Sequence, residues 1–108
     1  MACINLKKYE EAELKLNSII KEDPENILLI NLKGYLLFKK NDLDNALIYY
    51  LKTLEFAPAN KEALFNIFYI YHLKSDKKNA KKYILRYKEL NHPVPSGAEE
   101  IISSVVKG

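Results

Sequence analysis

Apolar residues recur at helical spacing along most of the chain. Leu43, Ala46, Leu47, Tyr50 and Leu54 fall on one face of a helix with 3.6 residues per turn. The same reading predicts helices from about Tyr9 to Glu22, from Ile27 to Lys39, from Leu43 to Phe56, from Lys61 to Lys74 and from Lys77 to Leu90. Asn41 and Asp42 supply a turn and an N-cap between the second and third of these, and Asn60 and Asp76 are suited to cap the next two. Few glycines and prolines interrupt the pattern, which predicts an all-α chain.

The pattern also repeats. Ala12, Ala46 and Ala80 are spaced by 34 residues, as are Pro24 and Pro58, and Asn26 and Asn60. Leu16, Tyr50 and Ile84 place a bulky side chain four residues after each alanine. Each repeat holds two helices. An alanine where two antiparallel helices approach most closely lets their backbones pack tightly, and larger residues one and two turns on fill the next layer. A fixed period of this length argues against an irregular helical bundle and for stacked helix pairs.

With these markers in register, the chain resembles the tetratricopeptide repeat (TPR) family over nearly all of residues 1–91. In the unit that starts at Ile27, Gly34 stands at the family's small position, Leu37 at a large one, Ala46 at the conserved alanine, Tyr50 at the aromatic and Pro58 at the proline. Ile30 replaces the usual Trp or Leu, and Thr53 the second alanine. The following unit keeps Leu64, Tyr71, Ala80 and Ile84, but has Phe68 at the small position, Tyr87 at the second alanine and its proline displaced to Pro93. Those departures predict looser local packing in that repeat. The resemblance implies an α-α superhelix of antiparallel helix pairs in a single domain: an incomplete repeat over 1–26, repeats over 27–60 and 61–94, and a C-terminal capping helix over 96–107.

The two ends differ. Pro93 and Pro95 interrupt the helical pattern. Ser96 and Glu99 then form a capping-box signature ahead of an apolar stripe of Ile101, Ile102, Val105 and Val106. At the other end Met1 is in register with Tyr35 and Tyr69, so most of the first helix of that repeat is missing. Ala12, Leu16, Ile19 and Ile20 thereby lose a neighbour, at a cost of about 1.5–3 kcal/mol for each large side chain left in water. The expected consequence is a piece of a longer array, or a homo-oligomer that buries residues 1–36 against a second copy.

In TPR proteins the first helices of successive repeats line a concave groove that holds a peptide or helix. The resemblance places Leu28, Asn31, Tyr35 and Phe38 of one repeat, and Glu62, Phe65, Tyr69 and His72 of the next, on that groove. Such a surface is aromatic and suited to binding another protein. The family's clamp for a chaperone's C-terminal carboxylate is not matched, because only Asn66 stands at a corresponding position.

Charge adds a second candidate surface. From Lys74 to Lys88 there are seven basic residues and one acidic residue, Asp76, within a net charge of +3, which leaves the remainder of the chain at −3. The helix 77–88 is a candidate binder of anionic surfaces, with a solvated outer face as the plainer reading. Nucleic acid is not the expected partner: there is one arginine, and Tyr83 and Tyr87 share an apolar stripe with Ala80 and Ile84.

No catalytic residue, cofactor or metal site is expected. His72 and His92 lie on different elements, Cys3 has no evident base, and no phosphate loop or metal-ligand spacing occurs. The N-terminus turns charged after six residues, so neither a secretory signal nor a membrane span is expected. With a single cysteine, the reading is a cytoplasmic protein-interaction module that is not an enzyme.

Overall fold

The computed structural model describes residues 6–107 as six helices with no strand among them: α1 Leu6–Glu22, α2 Ile27–Lys39, α3 Leu43–Phe56, α4 Lys61–Leu73, α5 Lys77–Glu89 and α6 Glu99–Lys107. Four of them start at side-chain oxygens that replace the acceptors a first helical turn lacks. Asn26 accepts from the Leu28 and Leu29 N–H groups, Asp42 from Asn45, Asn60 from Ala63 and Asp76 from Asn79. The Asn45 and Asn79 amides donate to the second carboxylate oxygen of Asp42 and Asp76, at 2.9 and 2.8 Å. The Asn79 side chain, then its backbone N–H, hold the Asp76 carboxyl below its ordinary range.

Two helices also stop in the same way. Asn41 and Ser75 take left-handed backbone angles, φ 64° and 59°. The Asn41 N–H then reaches the Phe38 carbonyl and the Asp42 N–H the Leu37 carbonyl, both at 2.9 Å. Ser75 and Asp76 repeat this on His72 and Tyr71, at 3.0 and 2.9 Å. These are Schellman closures. A single aspartate therefore closes one helix with its backbone and opens the next with its side chain, in both links.

Helices α2 and α3 have the bounds expected from the sequence, and α4 and α5 each stop one residue early because Lys74 and Leu90 are C-caps. The last helix departs further. The expected capping box of Ser96 and Glu99 does not form, and α6 begins at Glu99 instead of Ser96. Pro95 to Ala98 make a turn closed by the Ala98 N–H on the Pro95 carbonyl at 3.1 Å, with Gly97 at φ 86°. That angle at the third position of a turn is open to glycine without a Cβ clash, so the turn displaces the cap. The Ala98 carbonyl instead accepts the Ile102 N–H at 3.0 Å.

The architecture is all-α and helical-repeat-like, with adjacent helices packed in pairs. It divides between Ala57 and Pro58 into two compact units, the first holding α1 to α3 and the second α4 to α6. In the first, Gly34 of α2 faces Tyr50 of α3, and a Cβ at Gly34 would lie 3.1–3.2 Å from that ring. Thirty-four residues on stand Phe68 and Ile84, both fully buried. Tyr87 is 3% exposed. Of the departures expected to loosen the second hairpin, Phe68 and Tyr87 are enclosed and Pro93 is exposed, with the smaller Ile84 standing where the first hairpin has Tyr50.

A buried cation ties α1 to α2 in the first unit. The Lys33 ammonium, with its side chain 6% exposed, donates to Glu13 Oε2 and Asn17 Oδ1, both at 2.6 Å. Lys40 donates to Glu13 Oε1 at 2.8 Å, and the Tyr49 ring of α3 lies 5.7 Å from Lys33 Nζ. Desolvating an ammonium costs several kcal/mol unless a counter-charge and hydrogen bonds offset it. Hydrogen bonds from Lys33 and then Lys40 hold the Glu13 carboxyl below its ordinary 4.5, against the upward pull of burial.

Among the described residues, no helix is long and apolar enough to cross a membrane.

Replacing Glu13 with Gln leaves the Lys33 charge buried without its counter-ion, and urea denaturation at pH 7 is expected to show a loss of about 2–3 kcal/mol. Because the folded pKa is depressed, the Glu13 contribution is complete above about 4.5 and disappears as pH falls through the lower folded value. The gap between wild type and Glu13→Gln therefore closes under acid; a gap that stays constant down to pH 3 contradicts the assignment.

Candidate partner-binding site

Glu62, Phe65, Asn66 and Tyr69 recur at three- and four-residue spacing on α4, so the helix carries them along one face. The Phe65 ring is half-buried and packs tilted against Phe68 and Tyr87, with both centroid distances 5.5 Å. Such tilted pairs place ring edges against ring faces and fix the floor of the site. His72, one turn beyond Phe68, stacks on it at 6.4 Å and lies 6.1 Å from the Tyr69 ring.

The opposing wall comes from the chain that follows α5. Asn91, at φ 58°, ends the helix. His92 Nε2 then lies 3.0 Å from the Ala59 carbonyl, and the His92 ring is 5.1 Å from that of Tyr87. The Tyr87 hydroxyl donates to the Pro93 carbonyl. Two prolines in this strap remove backbone donors that would otherwise need partners.

Two cavities open between strap and helix. The first, of about 330 Å³, is lined by Lys61, Glu62, Phe65, Asn66, Tyr87 and the strap residues Pro93, Val94 and Pro95. The second, of about 220 Å³, lies between Phe65, Phe68 and Tyr69 on one side and Pro95, Ser96, Gly97, Ala98 and Ile101 on the other. Phe65 and Pro95 belong to both. The lining is aromatic and proline-rich, with the Asn66 amide able to donate and accept and with charges of opposite sign at Lys61 and Glu62.

Of the residues expected at a groove, Glu62, Phe65 and Tyr69 line these cavities, while His72 lies beside them in the aromatic cluster. In the first unit Leu28 is 78% exposed, and Tyr35 is exposed with Lys39 Nζ 5.3 Å from its ring. Phe38 is half-buried. Asn31, also expected on the groove, is instead buried at 8% exposure, which withdraws it from any partner that approaches the surface of α2. Asn66, Tyr87 and the strap enter the site without having been read as groove residues. Asn66 follows Glu62 by one helical turn, a spacing that could have marked it.

Among the described residues, no cluster of His, Cys, Asp and Glu could hold a metal ion; Cys3 lies outside them. No protein-family model and no curated protein matches the chain.

Burial raises the Tyr87 pKa above its ordinary 10.0, which keeps the hydroxyl neutral and able to donate to Pro93. The contribution of this group is complete below pH 10 and is lost as pH rises through the raised folded value. Tyr87→Phe keeps the ring and removes the donor, at a cost of about 1 kcal/mol. The Val94 and Ser96 amide chemical shifts are expected to move toward random-coil values as the strap loosens; unchanged shifts mean the bond does not hold the strap.

Proposed function

We propose that this chain is a protein-interaction module of the tetratricopeptide type that binds an extended peptide segment along α4, with Phe65 and Tyr69 as anchors. The observation that carries the reading is the pair of cavities that share Phe65 and Pro95 along a single helix face. Aromatic side chains offer large contact areas at small entropic cost, and half-buried rings in fixed positions need little reorganisation on binding.

The dimensions favour an extended ligand over a helical one. Cavities of about 330 and 220 Å³ each seat about one or two side chains. Two turns of helix with side chains occupy roughly 900–1,200 Å³. The Asn66 amide can bond a peptide backbone while Lys61 and Glu62 select charge at the rim. The 34-residue register supports the tetratricopeptide assignment, and the reading is of a binding module, not an enzyme. With one cysteine in the chain, a reducing cytoplasmic setting goes with it.

A displayed peptide library selected on the intact chain supplies the probe. For a selected peptide, amide chemical-shift changes should cluster on residues 61–69 and 93–101. Phe65→Ala combined with Tyr69→Ala should weaken binding by about thirtyfold or more, in a protein whose helical content and unfolding remain cooperative. Full-strength binding by that folded variant, or shifts confined to other helices, contradicts the proposal.

A further inference from the structure

Helix α5 carries charge that works against its own stability. Lys77 and Lys78 fill its first turn, where no acidic residue stands and where the helix dipole disfavours cations. Lys77 and Lys81, and Lys78 and Lys82, form like-charge pairs one turn apart, which destabilise a helix. Lys77, Lys78 and Lys82 are exposed, and Lys81 is half-exposed. Asp76 offsets part of this at the cap. A face that accumulates repulsion in the isolated chain gains most when an anionic surface covers it.

Three features narrow the class of partner. Tyr83, at 9% exposure, has its ring covered by Lys82 and Arg86, 5.5 and 5.6 Å from its centroid, and Tyr87 is buried, so neither offers a platform for bases. The cations are lysines apart from Arg86, whose guanidinium is bonded to the Pro58 carbonyl. Lysine is a point charge without the planar fork that reads phosphate in two-point contact. At the centre of the lysines sits Leu85, 39% exposed, three and four residues from Lys82 and Lys81. One apolar contact with Lys81, Lys82 and Lys88 within a turn of it, and Glu89 as its acidic neighbour on the same helix, fits a protein segment better than a lipid surface, which calls for a continuous apolar face.

We propose that the outer face of α5 is a docking surface for an acidic amphipathic protein segment, with carboxylates on Lys78, Lys81 and Lys82 and one apolar side chain on Leu85. None of these residues lines the α4 cavities, so this surface does not rest on the peptide-binding reading.

The test uses the full chain and a fluorescently labelled peptide with glutamates flanking leucines at helical spacing, followed by anisotropy. Saturable binding is expected at about 50 mM salt and weakens steeply by about 300 mM. Neutralising Lys78, Lys81 and Lys82 together to Gln should lower affinity by about tenfold or more, whereas the triple Arg replacement stays within about threefold of wild type. Leu85→Ala should cost about threefold. Relief of like-charge repulsion predicts that the Gln variant keeps or raises its Tm. Phe65→Ala with Tyr69→Ala should leave this binding unchanged. The proposal is overturned if the peptide does not bind at low salt, or if the folded Gln variant binds it as tightly as wild type. It is equally overturned if phosphatidylserine vesicles or a labelled oligonucleotide bind more tightly than the peptide at the same salt.

Discussion

Helix α2 ends and α3 begins within three residues, and so do α4 and α5, which leaves each pair of helices almost no freedom in how they fold back on each other. The left-handed residue in each link, Asn41 or Ser75, turns the chain. The aspartate that follows satisfies backbone groups on both sides of it. A left-handed angle at a non-glycine residue costs about 1–2 kcal/mol, so the link holds because the caps and the packing beyond it over-determine the turn. With the turn set, position 34 meets position 50, and only a residue without a Cβ fits against the Tyr50 ring without displacement.

The two units stabilise their hairpins by different chemistry. The first fastens α1 to α2 through Glu13, Lys33, Asn17 and Lys40, a network whose benefit depends on every member being paired. The second uses rings: Phe65, Phe68, Tyr87, His72 and His92 form a chain of contacts from α4 to the strap. That choice has a functional consequence. An aromatic cluster that is not fully enclosed leaves ring faces at the surface, and these form the proposed peptide site on α4.

Most of the helical framework was legible because local signals and the long period agree. Asp42, Asn60 and Asp76 cap the helices that the apolar pattern outlines, and Glu62, Phe65 and Tyr69, which the resemblance to the tetratricopeptide family implies as groove positions, share one face of α4. The failures occur where a local signal met a competing one. Ser96 and Glu99 have capping-box spacing, but Gly97 between them permits a turn that ends before the helix starts. Asn31 stands at a groove position by register yet is buried, and Lys33 gives no sign in the sequence that Glu13 and Asn17 will enclose it. The strap was illegible as a wall of the site, because its placement depends on long-range contacts: the Tyr87 hydroxyl on Pro93, and His92 on the Ala59 carbonyl and the Tyr87 ring.

Gly34 faces Tyr50 in the first hairpin, and Phe68 and Ile84, 34 residues on, are both fully buried, as one hairpin scheme used twice requires. Gly34 with Tyr50 and Phe68 with Ile84 are then alternative ways of filling one space. Denaturant unfolding of Gly34→Phe, Tyr50→Ile and the double variant tests this most directly. Alone, the added ring overpacks and the lost ring leaves a cavity, each at a cost of about 2–4 kcal/mol. Together they reproduce the pair found in the second hairpin, and the double variant should recover roughly half or more of the combined loss. Losses that simply add would show that the two hairpins are not copies of one packing scheme.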